Sequence, residues 1–278
     1  MRRAVTTGSR RPGLTAGRAL AVALALALAV AGCGGSAASP AGGGDPPAEI
    51  TVAAASDLRP AFEELGARYT AETGTDVTFS FGSSGQLREQ IVNGAPFDLF
   101  ASANVAYVDD VIAAGRGRAG TRADYAYGRI VVWSRDGSIR PAEVGDLADE
   151  RYGRIAIANP DHAPYGLAAR QALESAGVWD AVADRLVYGE SISDTFQLAR
   201  SGNADVGIVA LSLAIADGSD HTLVPAELHE PLRQALVVTG DGARGDAAAG
   251  FADFVNSAAG REVMVAYGFV LPGEEAPA

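Results

Sequence analysis

Four short segments rich in serine, glycine and aspartate each follow an apolar run and precede a helical pattern. Two lie in the first half of the sequence, around Ser56 and Ser84, and two in the second, around Tyr165 and Ile192. A strand that turns directly into a helix presents backbone N–H groups and the positive end of the helix dipole at one point. Serine hydroxyls add further donors, so these turns are suited to bind an anion.

A simpler interpretation of each turn is that its polar side chain caps the helix and binds nothing. Ser56 or Asp57 can serve as the N-cap of the helix that begins near Leu58. For Asp57 and Asp194 we favour capping, because a bare carboxylate would repel an anion. The backbone N–H of Asp57 then remains a possible donor.

The same segments argue against an enzyme. The sequence around Ser83 and Ser84 reads GSSG, which lacks the G-x-S-x-G spacing of a hydrolase nucleophile. His162 is interpreted as a turn residue, since a histidine without partners is a weak signal. No three His, Cys, Asp or Glu residues have metal-site spacing. We therefore expect no catalytic residue, no cofactor and no free-cation site.

The composition of the chain limits which domain organisations and which partners are possible. The 278 residues are 48% hydrophobic and 20% charged, which suffices for one large domain or two lobes with proper cores. The formal net charge is -12. A nucleic-acid partner is not expected, because the chain has no basic surface to offer.

The N-terminus predicts export and a lipid anchor. Arginines precede an Ala/Leu/Val run that is too short to span a membrane comfortably, and the run ends at VAGC. This resembles a bacterial lipobox, so we expect a signal peptide at residues 1–32, a lipidated Cys33 and a Gly/Ser/Pro-rich tether over residues 33–48. The protein would lie on the outer face of the cell membrane or in the periplasm. The alternative is ordinary cleavage near Ala38, which would release a soluble secreted protein.

From residue 49 onward, short apolar runs alternate with amphipathic helices, which predicts an α/β protein with mostly parallel sheets. A strand at residues 125–132 and a second crossing near residues 230–233 would join two lobes. The first lobe would comprise residues 49–126 and 231–278, and the second residues 127–230. Because ligands bind at the carboxyl ends of strands in such sheets, the four turns would line a cleft between the lobes.

A set of motifs then points to a known family. In order, they are AAASDL, FGSSGQL, GAPFDLFASA, NPDHAPYGLAARQAL, VGIVALS and YGFVLP. Over residues 50–272 the chain resembles the molybdate-binding proteins of bacterial ABC importers. The resemblance implies a two-lobed periplasmic-binding-protein fold of type II that closes on one tetrahedral oxyanion. It also implies hydroxyl and backbone donors from Ser56 and Ser84, and backbone donors from Tyr165 and Ile192, so that molybdenum is held only as its oxyanion.

One position departs from that family. Many members carry a tyrosine hydroxyl donor where this chain has Ala210. We expect the hydroxyl of Tyr165 to replace the missing donor.

These features together predict a lipid-anchored, monomeric solute-binding protein. It would capture molybdate, and tungstate as well, and deliver the anion to an ABC permease and its ATPase subunit. The alternative within this class is another oxyanion such as sulfate. A sensor domain that feeds a signalling partner is less favoured, because no output domain is attached.

Overall fold

The computed structural model describes residues 48–274, and ten strands in this part of the chain form two five-stranded sheets. The first sheet contains β1 (Glu49–Ala55), β2 (Asp76–Gly82), β3 (Leu99–Ser102), β4 (Ala123–Gly128) and β10 (Leu232–Val238). The second contains β5 (Ile130–Ser134), β6 (Ile155–Ala158), β7 (Leu186–Gly189), β8 (Val206–Ala210) and β9 (His221–Leu223). We call the parts built around these sheets the first lobe and the second lobe.

The two sheets share one plan. The strand order is β2-β1-β3-β10-β4 in the first and β7-β6-β8-β5-β9 in the second. In each, the second strand in this order, β1 or β6, pairs in parallel with both of its neighbours. The strands β10 and β5 then pair antiparallel on both sides. The sheets are therefore mixed, whereas the sequence predicted mostly parallel ones.

Helices connect the strands within each lobe. They are α1 (Arg59–Thr73), α2 (Ser84–Val92), α3 (Val105–Ala113), α4 (Pro164–Ser175), α5 (Trp179–Val182), α6 (Ile192–Arg200), α7 (Leu211–Asp217), α8 (Gly242–Asn256) and α9 (Ala258–Ala266). A 3-10 turn at Ser56–Leu58 leads into α1. The strand and helix alternation expected from the sequence is confirmed.

Two local expectations were wrong. The strand expected at residues 125–132 is two strands, because β4 ends at Gly128 in the first sheet and β5 begins at Ile130 in the second. Helix α7 was not anticipated. It follows β8 without a polar break, so the apolar run from Val206 conceals the boundary between strand and helix.

The helix α1 is fixed on the first sheet by its apolar stripe. Leu58, Phe62, Leu65 and Tyr69 have the helical spacing seen in the sequence, and all four are buried. The Phe62 ring lies 6.0 Å from that of Phe251, at 87°. An edge-to-face pair of this kind contributes roughly 0.5–1.5 kcal/mol beyond burial. This packing holds the Ser56 turn at the carboxyl end of β1.

The chain passes between the lobes at Arg129 and again between β9 and β10. The C-terminal segment returns to the first crossing, where Tyr127 N donates to Val270 O at 2.7 Å and Val270 N donates to Tyr127 O at 3.1 Å. Lobe boundaries at 126/127 and 230/231 stay our proposal.

The expected signal peptide at residues 1–32, the lipidated Cys33 and nearly all of the tether lie outside the described residues. Across residues 48–274, no helix combines the length and apolar character that crossing a membrane requires.

Candidate oxyanion site

The four turns lie where parallel strands end. Ser56 follows β1 directly, and Ser84 opens α2 after β2 and one intervening residue. In the second lobe, Tyr165 lies in the first turn of α4 after β6, and Ile192 opens α6 after β7. The strands end there because short polar residues and prolines replace the apolar runs.

The turns of one lobe touch those of the other. Ser56 Oγ accepts a hydrogen bond from Ser193 N at 3.2 Å, and Ser193 Oγ donates to Ser56 O at 3.0 Å. Ser83 Oγ donates to His162 O at 2.6 Å, and Gly85 N donates to the same oxygen at 3.0 Å. A Cβ on Gly85 would lie 2.6 Å from His162 O, so glycine permits this approach. The two lobes are therefore in contact through their turns.

Two serine hydroxyls act only as hydrogen-bond acceptors among the described residues. Ser56 Oγ accepts from Ser193 N, and Ser84 Oγ accepts from Ala103 N at 3.0 Å. Neither hydroxyl donates to a group within residues 48–274, although a hydroxyl can donate as well as accept. By contrast, the hydroxyl of Ser212 is used, because it donates to Asp57 O at 2.7 Å. Ser56 and Ser84 thus retain an unused donor each.

Three backbone amides are unused as well. Ser84, Tyr165 and Ile192 occupy the first turns of α2, α4 and α6, where an N–H has no acceptor inside its own helix. All three residues are at most 4% exposed. Nothing in the described part of the chain accepts a hydrogen bond from these amides. A buried N–H without a partner is costly, and these three amides remain available to an acceptor from outside the chain.

The Tyr165 hydroxyl was expected to donate to the ligand, but it bonds a protein group instead. The hydroxyl donates to Asp57 Oδ2 at 2.9 Å and is fully buried. Burial, followed by the neighbouring Asp57 carboxylate, raises the pKa of Tyr165 well above its usual value, so the hydroxyl stays protonated. Its one hydrogen is committed to Asp57, and the Tyr165 hydroxyl does not replace the donor missing at Ala210.

The capping interpretations also need correction. Neither Ser56 nor Asp57 makes a side-chain cap bond at the start of α1. The Asp57 carboxylate turns away from its helix to meet Tyr165. Ser191, rather than Asp194, caps α6, since Ser191 Oγ accepts from Asp194 N at 3.2 Å.

Sequence reasoning missed Gln234. It is buried in β10, where Nε2 donates to Asp57 Oδ2 at 2.8 Å and Oε1 accepts from the Tyr125 hydroxyl at 2.8 Å. The available signal was an amide side chain inside the otherwise apolar run LRQALVV. Gln234 and Tyr165 together satisfy one oxygen of a carboxylate that lies next to Ser56.

Burial dominates the electrostatics of Asp57. It raises the pKa of this carboxyl from 3.8 to about 6, against the opposing effects of Gln234, Tyr165 and the Asp57 backbone N–H. Its Oδ1 has no hydrogen-bond partner among the described residues. The carboxylate is therefore held in the charged form at neutral pH at a cost to stability.

A row of Ser83, His162 and Glu190 has the composition of a hydrolytic triad but not its geometry. Ser83 Oγ lies 2.9 Å from His162 Nδ1, yet its hydrogen also has the His162 carbonyl as an acceptor at 2.6 Å. Glu190 lies 3.6 Å from Nε2 and is largely exposed. No three His, Cys, Asp or Glu side chains within residues 48–274 are grouped to hold a metal ion.

Comparison with known proteins places this chain in a family. The sequence profile described as bacterial extracellular solute-binding protein matches residues 50–270. The chain belongs to this family. It is 37% identical to the molybdate-binding protein ModA of Rhodobacter capsulatus, over 80% of this chain and 88% of that protein.

Solved structures agree with the sequence relatives. The periplasmic molybdate-binding protein of Azotobacter vinelandii is 34% identical and superposes with a TM-score of 0.75, over 80% of this chain and 99% of that one. The substrate-binding domain of a putative molybdenum ABC transporter from Clostridium difficile is 26% identical, with a TM-score of 0.62 over 81% and 99%. The chain thus has the two-lobed periplasmic-binding-protein fold with a cleft between its lobes, and it is a binding protein rather than an enzyme.

Replacing Asp57 with Asn is expected to flatten the pH dependence of stability. The folded-state pKa of Asp57 is about 6 and its ordinary value is 3.8. The folded chain therefore holds this proton more tightly than the unfolded chain does. Stability is lost as the pH rises through that window, by roughly 3 kcal/mol in all. Asn does not titrate, so this loss should disappear.

Urea unfolding of wild type and variant on both sides of the window measures this effect. The matched control is Asp253→Asn, which changes an exposed aspartate on α8. If Asp57→Asn and wild type lose stability in parallel as the pH rises, Asp57 is not the buried titrating group.

Proposed function

We propose that this protein captures molybdate between its two lobes and delivers it to an ABC importer. The observation that carries the proposal is a set of buried donors without acceptors. They are the amides of Ser84, Tyr165 and Ile192 and the hydroxyls of Ser56 and Ser84. The names of the relatives, which refer to molybdate and molybdenum, support the same ligand.

Donors alone suit a fully ionised oxyanion. A dianion such as molybdate accepts hydrogen bonds at every oxygen and offers no hydrogen in return. Bonds to a charged acceptor are roughly twice as strong as neutral ones, so five neutral donors can replace a counter-charge. Phosphate keeps a proton near neutral pH and would favour an acceptor facing it. This difference supports molybdate over phosphate.

Size and donor geometry provide the remaining selectivity. A lysine or arginine would attract any anion, whereas fixed amides and hydroxyls favour one size of tetrahedron. Tungstate has nearly the size and charge of molybdate, and we expect it to bind as well. Sulfate has the same charge but is smaller, and it is the alternative ligand for this set of donors.

We also propose the partners of this protein and its location in the cell. The closed lobes would be the form that an ABC permease and its ATPase subunit recognise, since closure reports that the ligand is bound. Lipidation at Cys33 would keep the monomeric protein on the outer face of the cell membrane. Without lipidation it would be a periplasmic protein.

Calorimetric titration with molybdate, tungstate, sulfate and phosphate in parallel tests the ligand. Molybdate and tungstate should bind with similar affinity, and sulfate and phosphate at least about ten-fold more weakly, which corresponds to 1.4 kcal/mol. Tight sulfate binding with no molybdate signal would contradict the assignment and support the sulfate alternative.

The Ser84→Ala variant tests one donor. Loss of a hydrogen bond to a charged ligand costs roughly 1.5–3 kcal/mol, so the dissociation constant for molybdate should rise roughly ten-fold to a hundred-fold. Ser84 also accepts from Ala103 N, so the control must lose a comparable internal bond.

Ser102→Ala is that control. Ser102 is buried and accepts from Asn104 N at 3.1 Å, but its hydrogen already has the acceptor Asn104 O at 2.8 Å. Both variants should lose some stability, and only Ser84→Ala should lose affinity. Equal losses of affinity would remove Ser84 from the set of ligand donors.

The Cys33→Ala variant tests the anchor. Cells that express the wild-type chain should attach radiolabelled fatty acid to it, and the protein should fractionate with membranes. The variant should carry no label and should leave the membrane fraction. An unlabelled wild-type chain would instead favour ordinary cleavage near Ala38.

A further inference from the structure

A buried polar cluster joins the lobes beside the proposed site. We call it the latch cluster and define it as Asp57, Tyr125, Tyr165 and Gln234, each at most 2% exposed. Asp57, Tyr125 and Gln234 belong to the first lobe, and Tyr165 enters from α4 of the second.

Tyr165 makes all of the inter-lobe side-chain bonds in this cluster. Its hydroxyl donates to Asp57 Oδ2 at 2.9 Å and accepts from Gln234 Nε2 at 3.1 Å. The bond from Gln234 Nε2 to Asp57 Oδ2 stays within the first lobe, and so does the bond from Tyr125 to Gln234. Asp57 and Gln234 of the first lobe thus form a polar pocket, which we call the socket. The Tyr165 hydroxyl of the second lobe occupies it.

The first crossing between the lobes is shaped for this hydroxyl. Gly128 ends β4 one residue before the crossing, and a Cβ there would overlap the Tyr165 hydroxyl and lie 2.8 Å from Gln234 Nε2. Gly128 pairs with Leu232, and two residues further along β10 the pairing with β4 shifts register between Gln234 and Ala235. Such a bulge re-aims a side chain, here into the socket.

We propose that Tyr165 is the positioning residue that couples ligand capture to lobe closure. Its backbone N–H faces the oxyanion, as the proposed function requires, while its hydroxyl locks into the socket of Asp57 and Gln234 when the lobes meet. Opening the cleft withdraws the hydroxyl and leaves Asp57 with fewer donors. The latch therefore favours the closed form before any ligand binds, and a larger closed fraction raises the apparent affinity in proportion.

The variants Tyr165→Phe and Tyr69→Phe form a matched pair. Each removes one buried tyrosine hydroxyl and keeps the ring, but the Tyr69 hydroxyl lies outside the latch cluster and donates to Ala247 O at 3.4 Å within the first lobe. Only the first removes a bond between lobes. Tyr165→Phe also leaves the backbone N–H at that position unchanged.

Two measurements distinguish a latch role of Tyr165 from a purely structural one. The first is the distribution of distances between spin labels at Glu72→Cys on α1 and Glu174→Cys on α4, both exposed positions, in the full chain with Cys33→Ser. The second is the rate of molybdate dissociation. Tyr165→Phe should reduce the closed population without ligand and speed dissociation roughly ten-fold, the value of one bond to a charged group. Tyr69→Phe should change neither by more than about two-fold, within the scatter of such measurements.

Gly128→Ala provides a second variant that removes no polar group. Its methyl should expel the Tyr165 hydroxyl from the socket and speed dissociation as Tyr165→Phe does. Because both changes break the same contact, the double variant Gly128→Ala with Tyr165→Phe should dissociate little faster than either single variant. If the increases in dissociation rate of the two single variants multiply in the double variant, the latch is contradicted.

The outcomes distinguish this inference from the proposed function. A wild-type chain that binds no molybdate contradicts the function, while the label distances still decide whether Tyr165 favours closure. A chain that binds molybdate but shows equal distances and equal dissociation rates in Tyr165→Phe and Tyr69→Phe contradicts the latch alone. A wild-type chain that stays open and binds no oxyanion contradicts both.

Discussion

Buried hydrogen-bond donors without acceptors are the constraint on which this structure depends. The amides of Ser84, Tyr165 and Ile192 are unused because helix geometry provides no acceptor for a first-turn N–H. Capping side chains usually meet this need, and water does so at a surface. Here the turns are buried against each other, and the proposed oxyanion would accept hydrogen bonds from all of these donors together. The strand order places these helix ends at the carboxyl ends of the parallel strands β2, β6 and β7.

The Asp57 carboxylate places a negative charge beside these donors, and the surrounding groups must stabilise it. Asp57 lies next to Ser56, and an unmodified carboxylate there would oppose a dianion. Its Oδ2 accepts from Gln234 and Tyr165, while burial raises its pKa to about 6. The bonds and the burial act in opposite directions on its charge, and burial has the larger effect. The same carboxylate that would repel the ligand is thereby used to join the lobes.

The sequence predicted the parts of this structure that depend on local pattern. The apolar stripe of α1 and the four turns all followed from residue types and spacing. The partners of Asp57 did not, because Gln234 is 177 positions away and reaches it only through the pairing of β10. The direction of the Tyr165 hydroxyl was missed for a related reason. A tyrosine at the start of a helix can face a ligand or a neighbouring lobe, and only the three-dimensional packing decides between them.

The position of the latch relative to the crossing strands has a mechanical consequence. At the rim of the cleft, Gln86 bonds Glu190 at 3.0 Å, but the Glu190 side chain is 73% exposed. Exposed charged contacts contribute little, because water competes for both partners. The contacts of Tyr165 are buried and lie against Gly128, one residue from a crossing. Under the proposed latch, closure is therefore stabilised close to a crossing, where a given rotation of the lobes moves a contact less than it does at the rim. A small opening at the rim would then break the weak, exposed Gln86–Glu190 contact first and leave the buried contacts of Tyr165 in place.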